Sequence, residues 1–167
     1  MTKVLVVYAT KMGATAEIAR KICEVLVQGG HDVDLVPAGE VENLVAYQAV
    51  VLGSAIYYGR WRKEAVKFLL EQEADLQNKQ VWFFSSGPAG EGDPVELLDG
   101  WTFPPLQQEI ADRVQPRDMA VFHGVFDESK MNFFEKWIMK NMNTPSGDFR
   151  DWGMITQWAE SIARELS

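Results

Sequence analysis

Apolar residues in this chain fall into short unbroken runs, separated by longer stretches in which they recur at helical spacing. The first run, Val4–Tyr8, is too short and too β-branched for a helix. Its lack of alternation predicts a central parallel strand covered on both faces. Ile18, Ile22, Val25 and Leu26 then follow helical spacing until Gly29-Gly30 stops the helix. Between His31 and Val36, Val33 and Leu35 alternate with Asp32 and Asp34, which suits a strand nearer the sheet edge. Pro37 and Gly39 mark a short loop, and Ala49-Val50-Val51-Leu52-Gly53 is a second fully buried strand. A helix from about Arg62 to Leu76 is predicted to turn Ala65, Val66, Leu69 and Leu70 inward. Gln80–Ser85 reads as a fourth strand and Met119–Phe122 as a fifth, with a helix over Leu106–Val114 after Pro104-Pro105. Two amphipathic stretches remain, Met131–Met142 and Asp151–Leu166, the second with Asp151 as its N-cap.

Strands alternating with helices imply a single α/β domain over residues 1–167, a doubly wound parallel sheet closed by right-handed crossovers. Ligands of such sheets sit at the carboxyl ends of the strands, where the winding reverses. Where such a sheet takes the order 2-1-3-4-5, one of the common doubly wound orders, that point lies between strands one and three, and three loops would converge on it: 10–15, 54–61 and 85–93.

The first of these runs Thr10-Lys11-Met12-Gly13-Ala14-Thr15, directly between a strand and a helix. Such a junction gathers the unpaired N–H groups of a helix's first turn, where the helix dipole favours negative charge. Thr10 and Thr15 add hydroxyls, and Gly13 lets the backbone approach a ligand closely. The turn lacks both Gly-Lys-Ser/Thr and three spaced glycines, so it suits neither a nucleoside triphosphate nor a dinucleotide. It reads as a cradle for one terminal phosphate, or as an ordinary turn with a Thr cap. The other two loops are Ser54-Ala55-Ile56-Tyr57-Tyr58-Gly59-Arg60-Trp61 and the Gly-rich stretch Ser85–Pro94. Each combines Gly with hydroxyl or aromatic residues, as a flat heteroaromatic ligand with a phosphate tail requires.

Net charge narrows the choice further. At −8 the chain lacks the positive footprint of a nucleic-acid binder and suits recognition of basic partner surfaces. Cys23 is the single cysteine, so there is no intrachain disulfide, and no Cys/His cluster suggests a metal. A start that leads straight into a strand, and no apolar run near the ~20 residues of a spanning helix, predict a cytoplasmic protein.

In the order of its elements and in these loops, nearly the whole chain resembles the flavodoxins. Within them it is most similar to the menaquinone-dependent protoporphyrinogen dehydrogenase and flavodoxin-domain family. Gly53–Gly59 with Arg60, the aromatic-basic segment Phe133–Lys140 and Asp148-Phe149-Arg150-Asp151-Trp152 carry that likeness. The resemblance implies non-covalent FMN and redox chemistry. The phosphate would lie at Thr10, Lys11, Met12, Gly13, Ala14 and Thr15. The ring would meet Ser54, Ala55, Ile56, Tyr57, Tyr58 and Gly59, and then Ser85, Ser86, Gly87, Pro88, Ala89 and Gly90. Tyr57 matches the stacking aromatic of the family. Tyr58 stands where flavodoxins often carry a glycine whose peptide answers reduction of the ring. No aromatic occurs in 85–93, which leaves one ring face for a substrate or for a side chain such as Trp101. Arg60, Arg62 and Lys63 place positive charge where flavodoxins commonly place carboxylates, which favours the reduced, anionic flavin.

The resulting reading is an FMN-dependent oxidoreductase linked to a quinone or a porphyrinogen, with Tyr57, Arg60 and His123 as candidate catalytic residues. Its rivals are a diffusible electron carrier that meets a redox partner protein, and a cofactor-free scaffold that binds a partner. A phosphorylated receiver domain is rejected, because Tyr8-Ala9-Thr10 and Ser54-Ala55 stand where its acidic residues belong. Cys23 reads as an inert buried thiol, His31 as an exposed turn residue, and His123 as a structural histidine with a proton-shuttling alternative. Phe133, Phe134, Trp137, Ile138 and Met142 form a stripe flanked by Lys130, Lys136 and Lys140. A core-facing helix is the default for such a stripe. Its rival is a surface over 131–142 that docks on a redox partner or on the inner face of the membrane. Trp101 and Phe103 either line the ring pocket or pack over the sheet.

Overall fold

In the first strand Val4 and Val6 face one side of the sheet, Leu5 and Val7 face the other, and all four are buried. Two apolar faces need two covering layers, which is why this run shows no alternation. A computed structural model describes residues 1–88, 90, 92–126, 132–134, 136–137 and 147–167. Five parallel strands form its sheet: β1 (Lys3–Ala9), β2 (Asp32–Pro37), β3 (Ala49–Tyr57), β5 (Gln80–Ser86) and β6 (Asp118–Phe122), in the order β2-β1-β3-β5-β6. A two-residue strand, β4 (Arg60–Trp61), folds back antiparallel on β3. The first and last long helices, α1 (Ala14–Gln28) and α5 (Trp152–Leu166), cover Val4, Val6, Trp82, Phe84 and Phe122. On the other face, α2 (Lys63–Leu76) and α4 (Gln108–Val114) cover Leu5, Val7, Leu52 and Phe83. Burying each such side chain stabilises the fold by roughly 1.5–3 kcal/mol relative to leaving it in water.

Between β5 and α4 lie a short helix, α3 (Pro94–Leu97), and a 3-10 turn over Pro105–Gln107. A small ribbon of β7 (Val125–Phe126) and β8 (Gly147–Asp148) precedes α5. Asp151 caps α5, its carboxylate accepting from Met154 N at 3.1 Å.

Several expectations change. β3 runs to Tyr57 and pairs with β4, so the second loop is a β-hairpin whose turn residues, Tyr58 (φ 52°) and Gly59 (φ 74°), are both left-handed. That is the geometry of a tight turn matching the twist of its strands. In α2, Phe68 rather than Leu70 joins the core; Leu70 is 55% exposed, because Ala65, Phe68 and Leu69 already define the inward stripe. His31 is buried, not exposed. Thr2 N donates to its Nδ1 at 3.3 Å and its Nε2 lies 3.0 Å from Ala163 O, so a ring protonated on Nε2 ties the α1–β2 turn to α5. That contact spans 132 positions of sequence and no local pattern announces it. Phe133, Phe134 and Trp137 are exposed at 86%, 65% and 58%, with Phe134 and Trp137 stacked, so these three do not face the core. Ile138, Met142, Lys130 and Lys140 lie outside the described residues. Cys23 is half-buried and burial pushes its thiol up, with Glu24 and Asp34 adding to the shift, which suits an unreactive thiol.

Candidate functional site

In-register pairing of Tyr8 with Gly53, Ser54 with Ser85 and Ser86 with Phe122 brings the carboxyl ends of β1, β3, β5 and β6 to one edge. In the first loop, Thr10 Oγ1 accepts from Gly13 N at 2.9 Å and pulls the turn tight. Gly13 sits at φ 93°, with no atom within 4 Å of where a Cβ would stand. The first helical hydrogen bond of α1 runs from Glu17 N to Gly13 O, which leaves the amides of Ala14, Thr15 and Ala16 without an intrahelical partner. Thr15 is buried, Met12 half-buried, and Lys11 reaches out of the loop. A cleft of about 180 Å³ adjoins this turn, lined by Tyr8, Ala9, Thr10, Pro37, Ala38, Gly39 and Glu64.

One residue of this corner comes from far along the chain. Arg150, only 9% exposed at its side chain, donates to Ala14 O at 3.3 Å and to Glu17. It also grips Asp148 in a fork, with Nη2 to Oδ2 at 2.7 Å and Nε to Oδ1 at 3.0 Å. Hydrogen bonding to Arg150 holds the Asp148 carboxyl below its ordinary range, and the same bond raises Arg150 in turn. The guanidinium thus fastens the segment before α5 to the first turn of α1. In the sequence, 148–152 stands out only as a family signature. Its D-x-R spacing is the available signal, since a carboxylate two residues before an Arg can form such a fork.

In the second loop, Ser54 is fully buried, donates to Ala55 O and accepts from Arg62 N, each at 2.9 Å. Its side chain is therefore spent on shaping the hairpin. Ala55, Ile56 and Tyr57 are half-buried, and Tyr58, Gly59 and Arg60 are exposed. Lys11 Nζ sits 3.8 Å from the centre of the Tyr57 ring, which joins the first loop to the second. Tyr58 packs edge-on against Tyr57 with ring centres 4.5 Å apart. Arg62 does not add free charge here: its Nε lies 3.6 Å from Glu64 Oε2, and both atoms are buried without a hydrogen-bond partner.

In the third loop, Ser85 and Ser86 are buried, and Ser85 Oγ accepts from Trp61 Nε1 at 2.7 Å. Trp61 in turn packs on Phe103, with centroids 4.7 Å apart, so Phe103 belongs to the core over the sheet. Gly87 is exposed, Pro88 buried and Gly90 half-buried, while Ala89 lies outside the described residues. A Cβ on Gly87 would stand 3.1 Å from Ile56 Cβ, so the second and third loops touch. The backbone of the third loop is stitched to the end of β6: Gly87 N donates to Phe122 O at 3.2 Å, and Gly124 N to Pro88 O at 3.0 Å. His123 adds to this seam, its Nε2 2.7 Å from Gly92 O and its Nδ1 3.2 Å from Pro88 O. Both ring nitrogens face loop carbonyls, and whichever carries the proton donates to one of them, so the ring fastens the third loop to the end of β6.

A flavodoxin-domain family model matches residues 5–152. The protoporphyrinogen IX dehydrogenase [quinone] of Escherichia coli strain K12 is 21% identical, over 96% of this chain and 94% of that protein. Among solved structures, a flavodoxin from the domain Archaea superposes with TM-score 0.65 at 18% identity, covering 98% of each chain. A rubredoxin oxygen:oxidoreductase from Desulfovibrio gigas gives the same TM-score and identity, covering 99% of this chain and 36% of that one.

Proposed function

The chain belongs to the flavodoxin-domain family, and from that premise we propose that it is an FMN-dependent oxidoreductase linked to a quinone or a porphyrinogen. FMN is the cofactor of such a domain, and the residues fit it. The opening over Gly13 admits a phosphate against the free amides of Ala14, Thr15 and Ala16, with the α1 dipole behind them. Tyr57 offers a half-buried ring at the carboxyl edge of β3, and the third loop, held by His123, lies against Ile56 beside it. Bound there, FMN supplies the electron and hydride chemistry. This chain's residues orient it, exclude water from its buried side and set the local charge.

The observation that carries the finer reading is the exposed Arg60 across the hairpin from Tyr57, in a chain of net charge −8. A cation at this place favours the reduced, anionic ring and so a milder reductant, which suits quinone-linked, two-electron chemistry. The full-length likeness to a protoporphyrinogen dehydrogenase supports the same reading. Overall acidity favours the second reading, a diffusible carrier that meets a basic redox protein. Exposed Phe133, Phe134 and Trp137 support contact with a quinone-bearing membrane surface. No described helix is long and apolar enough to cross a membrane. Oxidation of protoporphyrinogen IX with a menaquinone acceptor is the expected activity. Rapid reduction by a flavodoxin reductase, with no porphyrinogen turnover, would make the protein a carrier.

A further inference from the structure

On the far side of the β3–β4 hairpin a second groove of about 520 Å³ opens between β4, α2 and the Pro105–Gln107 turn. Lys63, Val66, Lys67 and Leu70 line it at positions i, i+3, i+4 and i+7, one face of α2. Arg60 and Trp61 close its other side. Ala65, Phe68, Leu69 and Leu76 form the inward stripe and Val66 packs partly against it, but Leu70 is left 55% exposed on the groove. Its charge runs against that of the chain. Three cations stand over an apolar strip in a protein of net charge −8, and the groove's carboxylate, Glu71, lies 3.8 Å from Lys67. No carboxylate pairs with Arg60 or Lys63 among the described residues. Positive charge at the first position of a helix also works against the helix dipole. Such an arrangement matches a ligand with an apolar body and carboxylates at its edge, the lysine stems extending the apolar surface and the ammonium groups meeting the acids.

We propose that this groove binds the carboxylate edge of a bulky apolar polycarboxylic acid, delivered to the cofactor side of the hairpin through Arg60. The identity of that acid as a porphyrinogen rests on the function proposed above. Binding of protoporphyrin IX to the FMN-loaded protein, followed by equilibrium dialysis, tests the groove. Lys63→Glu with Lys67→Glu is expected to weaken binding about tenfold, as the sum of two solvent-exposed charge reversals. FMN affinity and thermal midpoint should hold, because Glu suits the first turn of α2 and the Lys67–Glu71 pair is exposed. The dimethyl ester of protoporphyrin IX, which carries no carboxylate, should bind the unaltered protein no better than the diacid binds the variant. Equal binding of acid and ester, or of both proteins, overturns the groove. Porphyrinogen turnover whose KM ignores the two substitutions overturns the groove alone. Charge-dependent binding without turnover upholds the groove and overturns the enzyme.

Discussion

At the first and third loops the main chain is tied down, by short side chains folded back onto it and by longer ones reaching in from distant segments. Thr10 closes on Gly13, Gly87 and Pro88 are sewn to β6, and Arg150 and His123 tie carbonyls from distant segments. At the second loop the hairpin projects, and Tyr58, Gly59 and Arg60 stand in solvent around a left-handed turn. The stitched loops are suited to hold a cofactor, since few of their groups can move independently. The hairpin is suited to set what the cofactor meets, since its side chains can change without disturbing the sheet. Substitutions on the two sides should therefore separate affinity and stability from reactivity.

Gly124→Ala should have the largest effect. A Cβ there would stand 2.9 Å from Gly87 Cα, backbone that cannot swing aside, so the third loop must shift. Overpacking of this kind costs about 2–3 kcal/mol. Urea denaturation should show that loss, and FMN titration a weaker complex; a variant with wild-type stability and affinity would mean the seam is loose.

Arg150→Met comes next. It leaves Asp148 and Glu17 facing one another at the start of α1 without their shared cation. Both carboxylates are about half exposed, so the cost is about 1–2 kcal/mol rather than the larger penalty of a fully buried pair. The sign with pH follows from Asp148, whose folded-state pKa is lowered. Its contribution is complete above the unfolded value, near 4, and is lost as pH falls through the lower folded one. Arg150→Met should remove that acid-side decline. FMN should bind more weakly, as the first turn of α1 loses its anchor.

How much of this was open to sequence reading depended on range. β1 and β3 were legible because their apolar runs and their glycine-bearing exits are local, and the first loop could be placed for the same reason. Alternation of elements implied only a doubly wound parallel sheet, and its strand order came with the resemblance to the flavodoxins. Arg150 and His31 were not legible as anchors, because the carbonyls they tie lie 132 or more positions away and every residue carries one; His123 reads as structural from the sequence, but its partners, 31 and 35 positions away, do not. The β3–β4 hairpin was missed because Tyr58 hides it: a left-handed turn is ordinarily signalled by Asn, Asp or Gly at both centres.

Arg60→Glu should leave stability and FMN affinity nearly unchanged and lower the potential of the second electron by tens of millivolts, since a carboxylate replaces a cation near an anionic ring. Potentiometry with a dye series reads this directly. Arg62→Glu is the control, and it should act on stability instead, because it sets two carboxylates together where Arg62 Nε now lies 3.6 Å from Glu64. If the two variants shift the potential alike, charge at the hairpin tip is not what tunes the flavin.

Tyr58→Gly should have the smallest effect, and its sign decides what the hairpin turn is for. Holding an L-residue left-handed costs about 1–2 kcal/mol. Glycine removes that strain, while its greater freedom in the unfolded chain takes back about 0.5–1 kcal/mol. Loss of the edge-on contact with Tyr57 takes back about 0.5 kcal/mol more. The balance runs from about 0.5 kcal/mol of loss to about 1 kcal/mol of gain, centred near zero, so selection for stability does not explain Tyr58. Thermal denaturation of Tyr58→Gly should show almost no shift, with Tyr58→Asn close beside it. A clear loss of stability in both variants would mean that the Tyr57–Tyr58 pair holds the hairpin together, and the division between a fixed binding side and a variable reactive side would have to be abandoned.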